Sequence, residues 1–339
     1  MGARFVFFGE LLLRLSAPGR ELILQTPRFD VHVGGAEANV AVSLARFGHD
    51  CAMVGTVAAN PLGEAALGEL RRHGVRTDAV RAVPGRMGLY FLATGALSRP
   101  SEIVYDRADS AFAKHAADGR DWPRLLAGAD WLHVSGVTPA VSEAAGVAAL
   151  HAVRAAVDAG VRVSFDCNYR QKLWEARGTD GRAVLKELAS HATLLFGNQR
   201  DIALMLATGF DQVPAGERFA AAAQAAFQAF PRLERIASTI RSHDSVDCQD
   251  LAGQMAGRDG SLVRTASRGM TGIVDRIGGG DAFAAGLLHG IATGMDGQAA
   301  LEFGVAAGVL KHSVPGDASL VSLADVEACV AGGGLDVRR

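Results

Sequence analysis

The sequence predicts an α/β protein built around a mostly parallel sheet, and two observations carry that reading. Short β-branched or aromatic runs alternate with longer Ala/Leu-rich segments, and the strand runs are apolar at consecutive positions. Strands that lie between two helical layers need apolar side chains on both faces. The first run, residues 4–8, is Arg-Phe-Val-Phe-Phe. Further strands are expected at 51–54, 131–134, 162–165, 193–196 and 236–240. Between them lie helical stretches at 36–47, 62–73, 142–159, 181–190 and 220–229, the last an Ala-rich packing face. Strands of about five residues alternating with helices read as βαβ units. The last third closes with helices at 280–293, 297–312 and 323–330. Two regions break this rhythm. Residues 14–33 and 87–105 are strand-like but more polar, with no helical pattern between their strands, and predict a small antiparallel flap on one edge of the sheet. One domain spanning 1–339, with lid strands from about 11–33 and 87–107, is the simplest organisation.

The bulk properties narrow the function class. The chain has 339 residues and is 49% hydrophobic, enough for a sizeable core. Its 34 basic and 36 acidic residues leave a formal charge of −2, without the concentrated positive field that nucleic acid or a membrane surface requires. Cys51, Cys167, Cys248 and Cys329 are scattered and fit no zinc spacing, so reduced thiols are expected. The ten histidines also lack metal-ligand spacing, and His312 is read as structural. Glu10 interrupts the N-terminal apolar run too early for a signal peptide, and no stretch is long enough to span a bilayer. A soluble, cytoplasmic protein is expected.

The most informative segment is Asp275-Arg276-Ile277-Gly278-Gly279-Gly280-Asp281-Ala282-Phe283. Three glycines leading into an apolar helix let backbone N–H groups converge where the helix start is partially positive, a hole suited to a phosphoryl group. Asp281, in the first turn, could accept a proton from an attacking hydroxyl. A plain turn with an aspartate cap is the alternative. A second segment, Gly34-Gly35-Ala36-Glu37-Ala38-Asn39, opens another helix through the apolar positions Val40, Leu44, Ala45 and Phe47. Asn39 is either the donor to sugar hydroxyls or part of a tight loop packed on the sheet.

In order and spacing, these two segments resemble the motifs of the ribokinase-like, or PfkB, carbohydrate kinase family, and the likeness covers nearly the whole chain. It implies a ribokinase-like three-layer αβα sandwich with a small β-strand lid. It also implies Asp281 as catalytic base, with the backbone of Gly278, Gly279 and Gly280 holding the transferring phosphate, and ATP with Mg²⁺ as donor. Asp166-Cys167-Asn168-Tyr169-Arg170, followed by Leu173-Trp174, resembles the 2-keto-3-deoxygluconate kinase branch, as do the Asp-Arg-Ile-Gly-Gly-Gly-Asp form and the tail from Lys311 to Asp317. That branch implies Gly34, Gly35, Asn39, Tyr90, Tyr105, Arg107 and Arg170 as substrate contacts. Transfer would go to the carbon-6 hydroxyl.

A guanidinium matches a carboxylate with two parallel hydrogen bonds, so Arg107 and Arg170 would bind the sugar acid; as surface residues they would only make ordinary salt bridges. Other family substrates, including 2-keto-3-deoxygalactonate, fructose, ribose and nucleosides, stay open, as does a non-catalytic sugar-binding protein. The resemblance assigns Asp166, Asn168, Asn198, Gly278 and Gly280 to the nucleotide side, where Arg241 could replace the cation that relatives set against phosphate. It makes Asp201 an indirect magnesium partner and Asp275 a ligand for a monovalent cation such as K⁺. Two departures stand out. Asn198-Gln199-Arg200-Asp201 replaces the usual Asn-x-x-Glu, and a plain cap is its alternative; Arg241-Ser242-His243-Asp244 replaces a glycine- and lysine-bearing turn. A lid with exposed strand edges invites a second copy, so a dimer or larger homo-oligomer is expected.

Overall fold

Phe5, Val6, Phe7 and Phe8 are all fully buried, but not together. Phe5 and Phe7 join one hydrophobic core while Val6 and Phe8 join another. Alternate side chains of one strand therefore anchor both helical layers. The structure is a computed structural model and describes residues 2–333.

The chain begins with β1 (Arg4–Phe8), β2 (Leu12–Ser16), β3 (Asp30–Gly34), α1 (Ala36–Arg46), β4 (Asp50–Ala58), α2 (Pro61–Arg72) and β5 (Arg76–Val83). Then come β6 (Gly88–Ala93), β7 (Glu102–Asp106), α3 (Ala111–His115), α4 (Trp122–Leu126), β8 (Trp131–Ser135), α5 (Val137–Val141) and α6 (Glu143–Asp158). The middle runs through β9 (Arg162–Asp166), α7 (Gln171–Ala176), α8 (Arg182–Ser190), β10 (Leu194–Phe196), α9 (Gln199–Leu206), α10 (Arg218–Ala229) and β11 (Arg235–His243). Three antiparallel strands, β12 (Cys248–Gly257), β13 (Leu262–Arg264) and β14 (Arg268–Thr271), precede α11 (Gly279–Ala292), α12 (Gly297–Lys311) and α13 (Leu323–Val330).

The main sheet has ten strands in the order β13-β12-β11-β10-β9-β8-β1-β4-β5, with β14 also on β12. From β11 to β5 the pairings are parallel; β12 to β14 are antiparallel. Helices α1, α2, α11 and α12 cover one face through Val40, Leu67, Leu287 and Leu301. The other face carries α6, α8, α9 and α10 through Val153, Leu185, Ile202 and Phe219. From β1 the chain first winds outward to β4 and β5, then resumes on the opposite side at β8. The crevice beyond the carboxyl ends of β1 and β8 is thus a topological switch point, where open α/β sheets bind ligands.

The lid departs from expectation in one respect. Its strands form a separate sheet, β3-β2-β6-β7, and β2 pairs with β6 in parallel, so the lid is mixed and not purely antiparallel. The reason is topological: between them the chain leaves the lid through α1, β4, α2 and β5, and a crossover of that length returns a strand in the same direction. A second correction concerns residues 241–244. Arg241, Ser242 and His243 continue β11 and pair with Leu251, Asp250 and Gln249. Strands β5, β12, β13 and β14 were not among the expected ones. Among the described residues no helix is long and apolar enough to cross a membrane.

Candidate active site

Two helix N-termini face one another above the switch point. Helix α11 starts at Gly278, whose φ of 79° is left-handed and whose Cβ, if present, would lie 1.8 Å from the Asp317 carbonyl oxygen. Only glycine fits there. Asp281 follows in the first turn, and its Oδ2 accepts a hydrogen bond from Asn39 Nδ2 at 2.7 Å. Asn39 comes from the first turn of α1, so the two glycine-rich segments meet side chain to side chain. The amide that was expected to serve sugar hydroxyls thus spends one N–H on orienting the carboxylate.

A cavity of about 280 Å³ opens between these helix starts and the lid. Asp166, Asn168 and Arg170 line it from the end of β9, Tyr90, Ile103 and Tyr105 from the lid, and Gly278, Gly280 and Asp281 from α11. Burial pushes the Asp281 carboxyl up to about 7, against the opposing effects of the Asn39 hydrogen bond and the Arg170 charge. Asp166 is likewise raised to about 7, first by burial and then by the Asp281 charge. A carboxylate poised near neutrality suits a general base.

The two expected clamp arginines have different surroundings. Arg170 is exposed, lines the cavity, and makes no ion pair or side-chain hydrogen bond among the described residues. Arg107 is buried, and its Nε and Nη2 donate to Glu10 Oε2 at 2.9 and 2.5 Å. Its guanidinium holds Glu10, just past the end of β1, and both side chains line the cavity. Arg276, for which the sequence suggested no role, also lines the cavity without an ion pair among the described residues.

Gly35 lines the cavity, whereas Gly34 packs against the Asp317 carboxylate, 2.1 Å from where its Cβ would be, and is not in the cavity wall. Tyr90 donates its hydroxyl to Asp317 Oδ2 at 2.6 Å; Tyr105 packs beside it at 6.2 Å between ring centroids. Asn198 and Asp201 form a reciprocal cap on α9, Asn198 Oδ1 accepting from Arg200 N–H and Asp201 Oδ2 from Asn198 N–H. Neither lines the cavity. Arg241 is turned toward His312, donating to it and to Gln249 at 3.1 and 2.8 Å. The His312 ring in turn lies 2.5 Å from where a Gly279 Cβ would be, so Arg241 supports the helix start from behind instead of facing the cavity.

Sequence reasoning missed Glu10, Glu37 and Asp317. Glu37 Oε1 accepts from Ser135 N–H, Ser135 Oγ–H and Thr138 Oγ1–H at 2.9, 2.8 and 2.7 Å, tying α1 to the end of β8. Its place within Gly-Gly-Ala-Glu-Ala-Asn was the available signal.

A magnesium ion carried by nucleotide phosphates needs only one or two protein carboxylates. The described residues contain no cluster of three or more His, Cys, Asp or Glu that could hold a metal alone. Asp166 and Asp201 are nevertheless both pushed up by burial, and the Asp201 charge adds to the rise at Asp166. Of the two, Asp166 stands in the cavity wall as a carboxylate that fits this requirement, while Asp201 is engaged in the α9 cap.

The pfkB family carbohydrate kinase model matches residues 3–323. The chain belongs to that family. It is 32% identical to the 2-dehydro-3-deoxygalactonokinase of Haloferax volcanii, over 100% of both chains. It is 27% identical to the 2-dehydro-3-deoxygluconokinase of Thermoproteus tenax, over 92% of this chain and 89% of that one. The crystal structure of 2-dehydro-3-deoxygluconokinase from Thermotoga maritima superposes with a TM-score of 0.91 at 37% identity, covering 97% of this chain and 100% of the other. The protein is a sugar kinase of ribokinase-like fold.

Proposed function

We propose that this kinase transfers the γ-phosphoryl group of ATP to the carbon-6 hydroxyl of 2-keto-3-deoxygluconate, giving 2-keto-3-deoxy-6-phosphogluconate. The observation that carries the substrate class is Arg170: a guanidinium that makes no ion pair among the described residues, in the wall that also holds Asp281. A carboxylate at one end of a six-carbon chain would dock there while the far hydroxyl approaches the base. Asp281 takes the hydroxyl proton as the oxygen attacks phosphorus; the new O–P bond forms as the bond to the ADP oxygen breaks. Backbone N–H groups at the start of α11 receive the charge on the phosphoryl oxygens, and Arg276 stands beside them. Magnesium, bound with the nucleotide, supplies further neutralisation, with Asp166 as the protein group suited to hold it.

The galactonate-derived epimer is the second reading, favoured by the full-length similarity to the Haloferax volcanii enzyme. The test is ADP release from ATP and Mg²⁺ with 2-keto-3-deoxygluconate, its galactonate epimer, fructose, ribose and adenosine. The keto-deoxy acids are expected to give the highest kcat/KM. Preference for a neutral sugar would overturn the sugar-acid reading and leave the kinase.

A further inference from the structure

The resemblance to ribokinase-like enzymes carries with it a monovalent cation at Asp275, and the residues around Asp275 do not fit one. Both carboxylate oxygens are taken. Oδ1 accepts from Ile277 N–H at 3.0 Å, and Oδ2 accepts from Arg14 Nη2 at 2.6 Å and Gly316 N–H at 3.0 Å. Two protein cations already occupy the neighbourhood. Arg14, 1% exposed on lid strand β2, also approaches Asp317 Oδ1 with its Nε at 3.2 Å. Lys311, in the last turn of α12, is 0% exposed. Its Nζ donates to the Val314 carbonyl at 2.9 Å and to the Asp275 carbonyl at 3.5 Å.

Carbonyl oxygens converging on a buried charge are the ligand set of a potassium or ammonium ion. Here two of them, those of Val314 and Asp275, accept from an ammonium that the chain itself supplies. A third positive charge would meet Arg14 and Lys311 at close range, beside an Asp275 carboxylate that already accepts three hydrogen bonds. The place also matters for chemistry. Lys311 Cε lies 3.4 Å from where a Cβ on Gly278 would be, directly behind the turn that starts α11.

We infer that the Lys311 ammonium, supported by Arg14, stands in for the monovalent cation, so that phosphoryl transfer needs no K⁺ and Lys311 is a positioning residue for the loop carrying Gly278. A charge fixed there keeps the backbone of the anion hole in register without waiting for an ion to bind, and Arg14 joins that loop to the lid. The inference rests on the sugar-kinase activity at Asp281 but not on which sugar is taken, so any accepted acceptor serves in its test.

The test measures initial rates with saturating ATP, Mg²⁺ and acceptor, using K⁺, Na⁺, NH₄⁺ or tetramethylammonium as the sole monovalent cation. Wild-type kcat is expected to agree within about twofold across the four, because an ion with no differential affinity for the working state shifts nothing. Lys311→Ala removes the ammonium and leaves the Val314 and Asp275 carbonyls free to accept a small cation. Its kcat is expected to fall at least about tenfold in tetramethylammonium, as for a disturbed anion hole, and to recover in K⁺ or NH₄⁺. Lys311→Met, which fills the same space without charge, is expected to lose turnover with no recovery. A wild-type enzyme strongly activated by K⁺ over tetramethylammonium would overturn the inference, and that result needs no variant to fold. Equal kcat for wild type and a folded Lys311→Ala, or a loss that no small cation restores, would overturn it as well. A loss of all activity in wild type with every acceptor would instead count against the kinase assignment.

Discussion

Replacing Asp281 with Asn is the most informative single perturbation of the chemistry. The two side chains are isosteric, and the introduced amide would keep a partner in Asn39, whose Nδ2 lies 2.7 Å from the present carboxylate. The fold and the sugar pocket should therefore persist. What disappears is the proton acceptor. Loss of a general base costs about 10²–10⁴ in turnover, or about 3–5 kcal/mol of transition-state stabilisation. The pH profile gives a second signature. Burial holds Asp281 at about 7, and the neighbouring Asp166 is raised to about 7 as well, so the pair titrates together. The base works only when deprotonated, so wild-type kcat should rise toward about pH 8, where loss of the Lys311 ammonium, whose pKa burial pushes down to about 8, ends the rise. Below about pH 7 it should fall about tenfold per unit, to about one hundredth at about pH 5. ADP release, measured across that pH range for both proteins with sugar KM recorded alongside, decides the matter. A variant within about tenfold of wild type, or one that keeps the same acid limb, would refute Asp281 as the base.

Three further outcomes follow from the packing around the site. Arg107→Met leaves Glu10 buried without its guanidinium and should lower stability by about 3–5 kcal/mol in urea unfolding, whereas adding Glu10→Gln should recover most of that loss. Gly278→Ala should destabilise the protein, since its Cβ would fall 1.8 Å from the Asp317 carbonyl oxygen, while Gly280→Ala, with nothing within 4 Å, should leave the melting temperature unchanged yet lower kcat about 10²-fold by intruding on the phosphate space. Phe7→Ala, in the core strand beneath the site, should cost about 3–5 kcal/mol through the cavity it opens, read by the shift in denaturation midpoint.

The parts of this account that were legible in the sequence are those encoded locally. A strand run, a glycine-rich turn and the first turn of a helix are each contiguous, so β1, the start of α11 and the position of Asp281 could be read directly. The pairing of charges was not legible, because its partners are far apart. Arg107 meets Glu10 across 97 residues, Tyr90 meets Asp317 across 227, and Arg14 meets Asp275 across 261. An arginine looks the same in sequence whether or not a carboxylate of the chain already holds it, which is why Arg107 and Arg170 read alike. Strand β12 was hidden for a different reason: Cys-Gln-Asp-Leu-Ala-Gly-Gln-Met-Ala-Gly contains no β-branched residue and two glycines, and it is held by pairing with β11. The parallel pairing in the lid likewise depends on a long crossover that local pattern does not report.

The measurement that tests the central claim most directly compares two acceptors in two proteins. One acceptor is 2-keto-3-deoxygluconate and the other is its carbon-1 amide, identical but uncharged; the proteins are wild type and Arg170→Ala. The account predicts that wild type prefers the acid by about 10–100-fold in kcat/KM, the worth of a charged hydrogen-bonded pair, and that Arg170→Ala abolishes this preference while using the amide about as well as wild type. An undiminished preference for the acid in Arg170→Ala, or no preference in wild type, would contradict it.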